Sequence, residues 1–123
     1  KLNNIYFFDF LDENKVKEKL INSEVYICTS KNESSPVAIW EAMSCYLPII
    51  STDVGDLNKF NKKYNFGFII KNKSATNFKK GIFYFYKNKK LRVKYGNKSA
   101  LCVYNEMNVK NSFKIFEKKL IRL

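Results

Sequence analysis

Residues 25–55 read VYICTSKNESSPVAIWEAMSCYLPIISTDVG, and the order of patterns along them decides the fold. Val25–Cys28 is a short apolar run of β-branched and aromatic character, as a strand requires. The polar stretch Thr29–Ser35 reads as a loop. Pro36 has no N–H to leave unpaired, which suits the first turn of a helix reaching about Cys45. Leu47–Thr52 returns to strand character, with Pro48 tolerable at its start. Asp53-Val54-Gly55-Asp56 then turns the chain. Strand, helix and strand in direct succession predict an α/β layer fold.

The flanking sequence extends this pattern. Upstream, Ile5-Tyr6-Phe7-Phe8 reads as a strand, and Asp12 as the N-cap of a helix over Glu13–Ile21 with Val16, Leu20 and Ile21 at helical spacing. Downstream, a short irregular or helical stretch reaches Tyr64, and Gly67–Ile70 reads as the last strand. From Ser74 the chain turns helical. Ser74 or Thr76 caps a helix holding Phe78, Ile82, Phe83, Phe85 and Tyr86. Asn88 opens a second, with Leu91, Tyr95 and Leu101–Val103. Asn108 or Asn111 precedes a third, with Phe113, Phe116, Leu120 and Ile121. The aromatic cluster Phe83–Tyr86 reads as a buried face rather than a base-stacking platform. No internal repeat or low-complexity linker marks a domain boundary.

Composition narrows the function. The 123 residues are 46% hydrophobic, enough for one small domain with a core and too apolar for a disordered tail. No apolar run approaches the roughly 20 residues of a membrane span. Lys1 rather than Met opens the chain, so it reads as a piece of a longer protein. Histidine is absent, which removes Ser-His-Asp and Cys-His hydrolases and every His-ligated metal site. Cys28, Cys45 and Cys102 are widely spaced in apolar runs and read as buried, reduced thiols of a cytoplasmic protein. The net charge is +12, but of 23 basic residues only Arg92 and Arg122 are arginine. Specific phosphate and base readers favour arginine, whose planar fork binds bidentately. Lysines scattered along the chain therefore read as a solvated basic surface. Attraction to anionic lipid headgroups comes next and nucleic-acid binding last.

The chemistry concentrates between Thr29 and Asp56. Pro36–Trp40 and Ala42–Cys45 predict a helix apolar almost all round and covered on more than one side. Glu41 interrupts it with no Lys or Arg within a turn, so either a ligand's hydroxyl groups satisfy the carboxylate or Glu41 stands at a solvent edge. Glu33 lies earlier, in the loop after a strand, on the rim where open α/β sheets bind ligands. The N–H groups of Ser34, Ser35 and Val37, with the helix dipole behind them, suit a phosphate or a sugar hydroxyl.

Taken together, residues 25–55 resemble the donor-binding region of family-four, group-one retaining glycosyltransferases. That pattern runs strand, Pro or Thr then Ser, Glu, a short loop with Pro or Gly, and a second Glu after seven intervening residues. It continues as Ala-Met/Ala-x-x-Gly-x-Pro-Val-Ile-x-Thr-Asp-x-Gly. Thr29-Ser30, Glu33, Pro36, Glu41-Ala42-Met43 and Pro48-Ile49-Ile50-Ser51-Thr52-Asp53-Val54-Gly55 match it in order and spacing. Gly67–Ile70 is similar to the Gly-Phe-Leu-Val strand that follows. The closing helices match less specifically.

The resemblance implies a GT-B fold, two Rossmann-like halves facing a cleft, with this chain the later part of the C-terminal, nucleotide-sugar-binding half. It implies that Glu41 accepts hydrogen bonds from ribose hydroxyls and that Glu33 is the catalytic or sugar-orienting carboxylate. Ser34, Ser35, Pro36 and Val37 would hold sugar hydroxyls and the diphosphate. The implied reaction moves a sugar to a glycan or lipid-linked acceptor with retention of configuration and without a metal or other cofactor. The implied setting is polysaccharide or glycolipid assembly in the cytoplasm, with peripheral contact at an anionic inner membrane face. The chain departs from the pattern at four points. Ser34 replaces a frequent Gly, Cys45-Tyr46 a small residue and Gly, Asp56 a second Gly, and Lys59 a frequent acid. The acceptor domain and the first two strand–helix units, which carry diphosphate-holding Arg and Lys, have no counterpart in these residues. In the strand order 3-2-1-4-5-6, two missing strands would separate Ile5–Phe8 from Val25–Cys28. The alternatives are a non-catalytic nucleotide-binding relative and, last, a basic polyanion-binding scaffold.

Overall fold

A computed structural model describes residues 4–72 and 74–108. The elements are α1 (Glu13–Ile21), β1 (Tyr26–Cys28), α2 (Val37–Ser44), β2 (Ile49–Thr52), α3 (Leu57–Tyr64), β3 (Gly67–Ile70), α4 (Ala75–Tyr86) and α5 (Lys89–Glu106). The third closing helix expected after Asn108 or Asn111 falls outside the described residues, apart from Asn108 itself.

The three strands form one parallel sheet in the order β1-β2-β3, with Tyr26 opposite Ile49 and Ile49 opposite Gly67. All four residues of the central strand β2 are buried. Successive side chains leave a strand on opposite faces, and β2 uses both. Ile49 joins Ile39, Ala42, Met43, Leu57, Phe66 and Cys102 on one face, while Ile50 joins Ile70 and Phe85 on the other. Helices therefore cover both sides of the sheet, the Rossmann-like layering expected from the sequence. Each such fully buried aliphatic or aromatic side chain contributes about 1.5–3 kcal/mol.

Local chemistry sets the element ends. The Asp12 carboxylate accepts from the Lys15 amide at 2.9 Å, Ser74 from Asn77 at 3.3 Å and Asn88 from Leu91 at 3.1 Å, as N-caps should. Asn61 reaches from α3 to the start of β3, accepting from the Phe66 and Gly67 amides and donating to the Gly67 carbonyl. Gly67 and Gly96 mark close approaches. A Cβ on Gly67 would meet the Ile49 backbone carbonyl, and one on Gly96 the Tyr46 carbonyl.

Four expectations need correction. Ile5–Phe8 is not a strand. It runs exposed beside α1, with Phe7 93% accessible and Phe8 under the Lys19 ammonium. A strand exists only through its ladder, and no described strand lies beside this segment. Second, the 83–86 cluster is not a buried face. Only Phe85 is enclosed, whereas Phe83 is 47% and Tyr86 77% exposed, because α4 presses Gly81 and Phe85 to the sheet and turns its other side outward. Third, α2 is covered on one side alone. Ile39, Ala42 and Met43 are buried, while Val37 and Glu41 face solvent. Fourth, of the three free thiols only Cys102 is buried, and Cys28 and Cys45 are half-buried. Burial pushes the Cys102 thiol up to about 12.

Candidate functional site

Parallel strands deliver their connecting loops to one rim, and here the loops after β1 and β2 meet there. Glu33 and Ser34 come from the first, Asp53, Val54 and Gly55 from the second. Together with Lys31 and Asn32 they line an open hollow of about 580 Å³. Gly55 makes the meeting close. Its φ is +52°, and a Cβ would lie 2.8 Å from the Ser34 carbonyl oxygen.

Glu33 is exposed at this rim, but its carboxylate is not loose. The Ser30 hydroxyl donates to it at 3.0 Å. Ser30 is fixed in turn, for the Thr52 hydroxyl at the end of β2 donates to the Ser30 backbone carbonyl at 2.6 Å. The chain from sheet to Thr52 to Ser30 to Glu33 was not anticipated. Ser30 and Thr52 both lie in the patterned stretch 25–55, but the contact between them is long-range and no local spacing signals it.

The start of α2 carries no side-chain cap, unlike α1, α4 and α5. Pro36 occupies the cap position, one residue ahead of the helix. The Ser34 and Ser35 amides donate to no described residue. Val37 differs from the expectation, because its N–H is spent on the Ser35 carbonyl at 2.9 Å. Two of the three expected amides thus stay open for an anion or hydroxyl.

Glu41 lies on the exposed side of α2. It borders a second hollow of about 510 Å³, between α1 and α2, which Val16, Leu20 and Cys45 make partly apolar. The carboxylate that seemed costly inside a covered helix is therefore at a solvent edge, the plainer of the two alternatives. Glu33 and Glu41 each stand beside a hollow, but they border different ones. Next to Glu41, the Trp40 indole ring is held edge-on by Phe60 at 5.8 Å, and its buried N–H has no hydrogen-bond partner among the described residues. Among the described residues no group of three potential metal-ligating His, Cys, Asp or Glu side chains gathers. Nor is any helix there long and apolar enough to cross a membrane.

No curated protein sequence and no solved structure matches this chain. A sequence model of one family, described as glycosyl transferases group 1, matches residues 1–101. That span takes in both rim loops, both glutamates and all three strands. On a match over most of its length, the chain belongs to the group 1 glycosyltransferases, enzymes that pass a sugar from a donor to an acceptor.

Proposed function

We propose that this chain is the donor-binding part of a retaining, nucleotide-sugar-dependent glycosyltransferase acting without a metal on a glycan or lipid-linked acceptor. The observation that carries the proposal is the rim hollow, lined by a tethered carboxylate at Glu33, by Ser34 with its open amide just ahead of α2, and by the glycine-tightened turn at Gly55. Open amides and the positive end of α2 suit a diphosphate, whose negative charge grows as it leaves the anomeric carbon. The bond from the anomeric carbon to the diphosphate breaks, and the acceptor's hydroxyl proton passes to the departing diphosphate oxygen. The new bond to the acceptor oxygen forms on the face the diphosphate vacates, which retains configuration. Glu33 would orient the sugar and stabilise positive charge developing at the anomeric carbon. Glu41 would accept from the ribose hydroxyls, with Val16 and Leu20 as an apolar wall for the nucleoside. Cytoplasmic placement with peripheral contact at an anionic membrane belongs to the same proposal.

Calorimetric titration of the full-length protein with UDP, GDP and ADP and their sugar conjugates tests the donor role. One nucleotide should bind. Glu33→Ala should abolish transfer and leave the circular dichroism spectrum unchanged. Unchanged transfer in that variant would sink the catalytic assignment. A second reading, a nucleotide-binding relative without turnover, draws on the separation of the two glutamates between hollows. Nucleotide binding with no transfer in the intact protein would select it.

A further inference from the structure

The net charge of +12 is unevenly distributed. Residues 1–56 hold nine of the eleven acidic side chains and five lysines, whereas residues 57–105 hold thirteen basic side chains and no acid. The lysines are scattered in sequence, but the acids are not, and α4 and the start of α5 lie wholly in the cationic half. On α4, Gly81 abuts Ile50 and Phe85 is buried. The opposite side presents Lys79, Phe83 and Tyr86, flanked by Ile82, at the i, i+3, i+4, i+7 spacing of one helical stripe. Ile82 is 42% exposed, and Phe83 and Tyr86 more so. The Phe83 and Tyr86 rings touch edge to face at 6.5 Å, and the Lys79 ammonium lies 5.8 Å from the Phe83 centroid. Lys80 and Lys87 stand beside the stripe, and none of these three lysines forms an ion pair with a described residue.

We propose that this outward face of α4 docks on an anionic lipid bilayer, with Ile82, Phe83 and Tyr86 seated at the headgroup level and Lys79, Lys80 and Lys87 against the lipid phosphates. Aromatic rings favour the membrane–water boundary, where the ring is desolvated and a hydroxyl stays wet. Lysine suits a lipid surface, which asks for charge rather than a bidentate fork. The same ingredients could serve a single-stranded nucleic acid, but that guest is held in a groove that tracks its backbone, and this stripe lies on a convex helix. A second copy is disfavoured, since two such faces carry like charge. The inference rests on the peripheral membrane contact proposed above and gives it a surface. It does not rest on the donor site, because vesicle binding needs no nucleotide and nucleotide binding needs no vesicle.

Sedimentation of the full chain with vesicles tests it. Binding is expected to an equal mixture of phosphatidylglycerol and phosphatidylcholine, and not to phosphatidylcholine alone. Reversing Lys79, Lys80 and Lys87 to Glu should weaken binding at least about a hundredfold, given about fivefold for each of the three lysines. Phe83→Ser with Tyr86→Ser should weaken it at least about fivefold at unchanged charge. Lys59→Glu with Lys62→Glu on α3 should change it less than about twofold. Tyr86→Ser alone serves if the double variant fails to fold. The proposal is overturned if the aromatic variants bind like the parent, or if the α3 reversal costs as much as the α4 reversal. It is equally overturned if the chain holds a single-stranded polynucleotide at a salt concentration that releases the vesicles. Self-association abolished by the aromatic variants would also overturn it.

Discussion

Tyr46 adopts φ +61° in the turn between α2 and β2, a left-handed conformation that costs a residue with a Cβ. The related pattern places Gly there, and the tyrosine ring recovers little, being mostly exposed. Tyr46→Gly should therefore stabilise the chain by about 1 kcal/mol, read as a higher urea midpoint at unchanged slope. Destabilisation would mean the ring makes a contact worth more than the strain. The site's residues invite a similar test. Ser30 donates to Glu33 and is itself held by Thr52, so Ser30→Ala frees the carboxylate without removing it. Transfer should fall about tenfold, with nucleotide affinity nearly unchanged and Ser30→Thr restoring most of the rate. Equal loss of nucleotide affinity would show that Ser30 supports the loop rather than the carboxylate. Glu33 and Glu41 could be picked out in the sequence because their spacing is a pattern. Ser30 and Thr52 fall in the same pattern, but their hydrogen bonds could not be read from it, since these depend on two strand ends lying side by side.

Elements whose signals are local were legible in advance. Asp12 and Asn88 cap the helices they were expected to cap, Ser74 rather than Thr76 caps α4, and three of four expected strands pair. The fourth, Ile5–Phe8, has the composition of a strand but no described neighbour, and composition cannot supply a ladder. The outward face of α4 escaped prediction for a related reason. Amphipathic spacing shows that a helix has an apolar side, not whether something covers it. A contact between elements also sets an acid response. Lys63 and Tyr64, at the end of α3, hydrogen-bond the Glu106 carboxylate of α5 at 2.7 and 2.6 Å. The Lys63 ammonium first, then the Tyr64 hydroxyl, hold that carboxyl below the usual range, and Glu106 raises Lys63 in turn. A depressed carboxylate stabilises above its unfolded pKa and loses that contribution as pH falls through the folded value. A raised lysine stabilises below its unfolded pKa and loses its share as pH rises through the folded value. The α3–α5 link should thus be intact across neutral pH and weaken at both extremes. Glu106→Gln should lower the thermal midpoint modestly at pH 7 and leave a shallower decline between about pH 5 and pH 3. An identical acid limb in both proteins would show that other carboxylates govern it.

At the scale of the whole molecule, the open question is how one donor could use two carboxylates that border separate hollows. Glu33 stands at the rim between the β1 and β2 loops, and Glu41 beside the groove between α1 and α2. The two hollows flank the same helix, Glu33 in the loop before it and Glu41 on its exposed side. A nucleotide-sugar is long enough in chemical terms to divide between them, nucleoside in the partly apolar groove and sugar at the rim, with the diphosphate across the uncapped helix start. That arrangement separates the effects of the two glutamates by ligand. A nucleoside diphosphate alone should lose about ten- to hundredfold in affinity with Glu41→Ala, the scale of hydrogen bonds to a charged acceptor, and almost nothing with Glu33→Ala. Its sugar conjugate should lose affinity with either variant. The two losses should add as free energies in the double variant, because each carboxylate grips a different part of the guest. Calorimetry on the four proteins reads this directly. If Glu33→Ala weakens the sugar-free nucleotide as much as Glu41→Ala does, both carboxylates serve one end of the ligand, and the division between hollows is wrong.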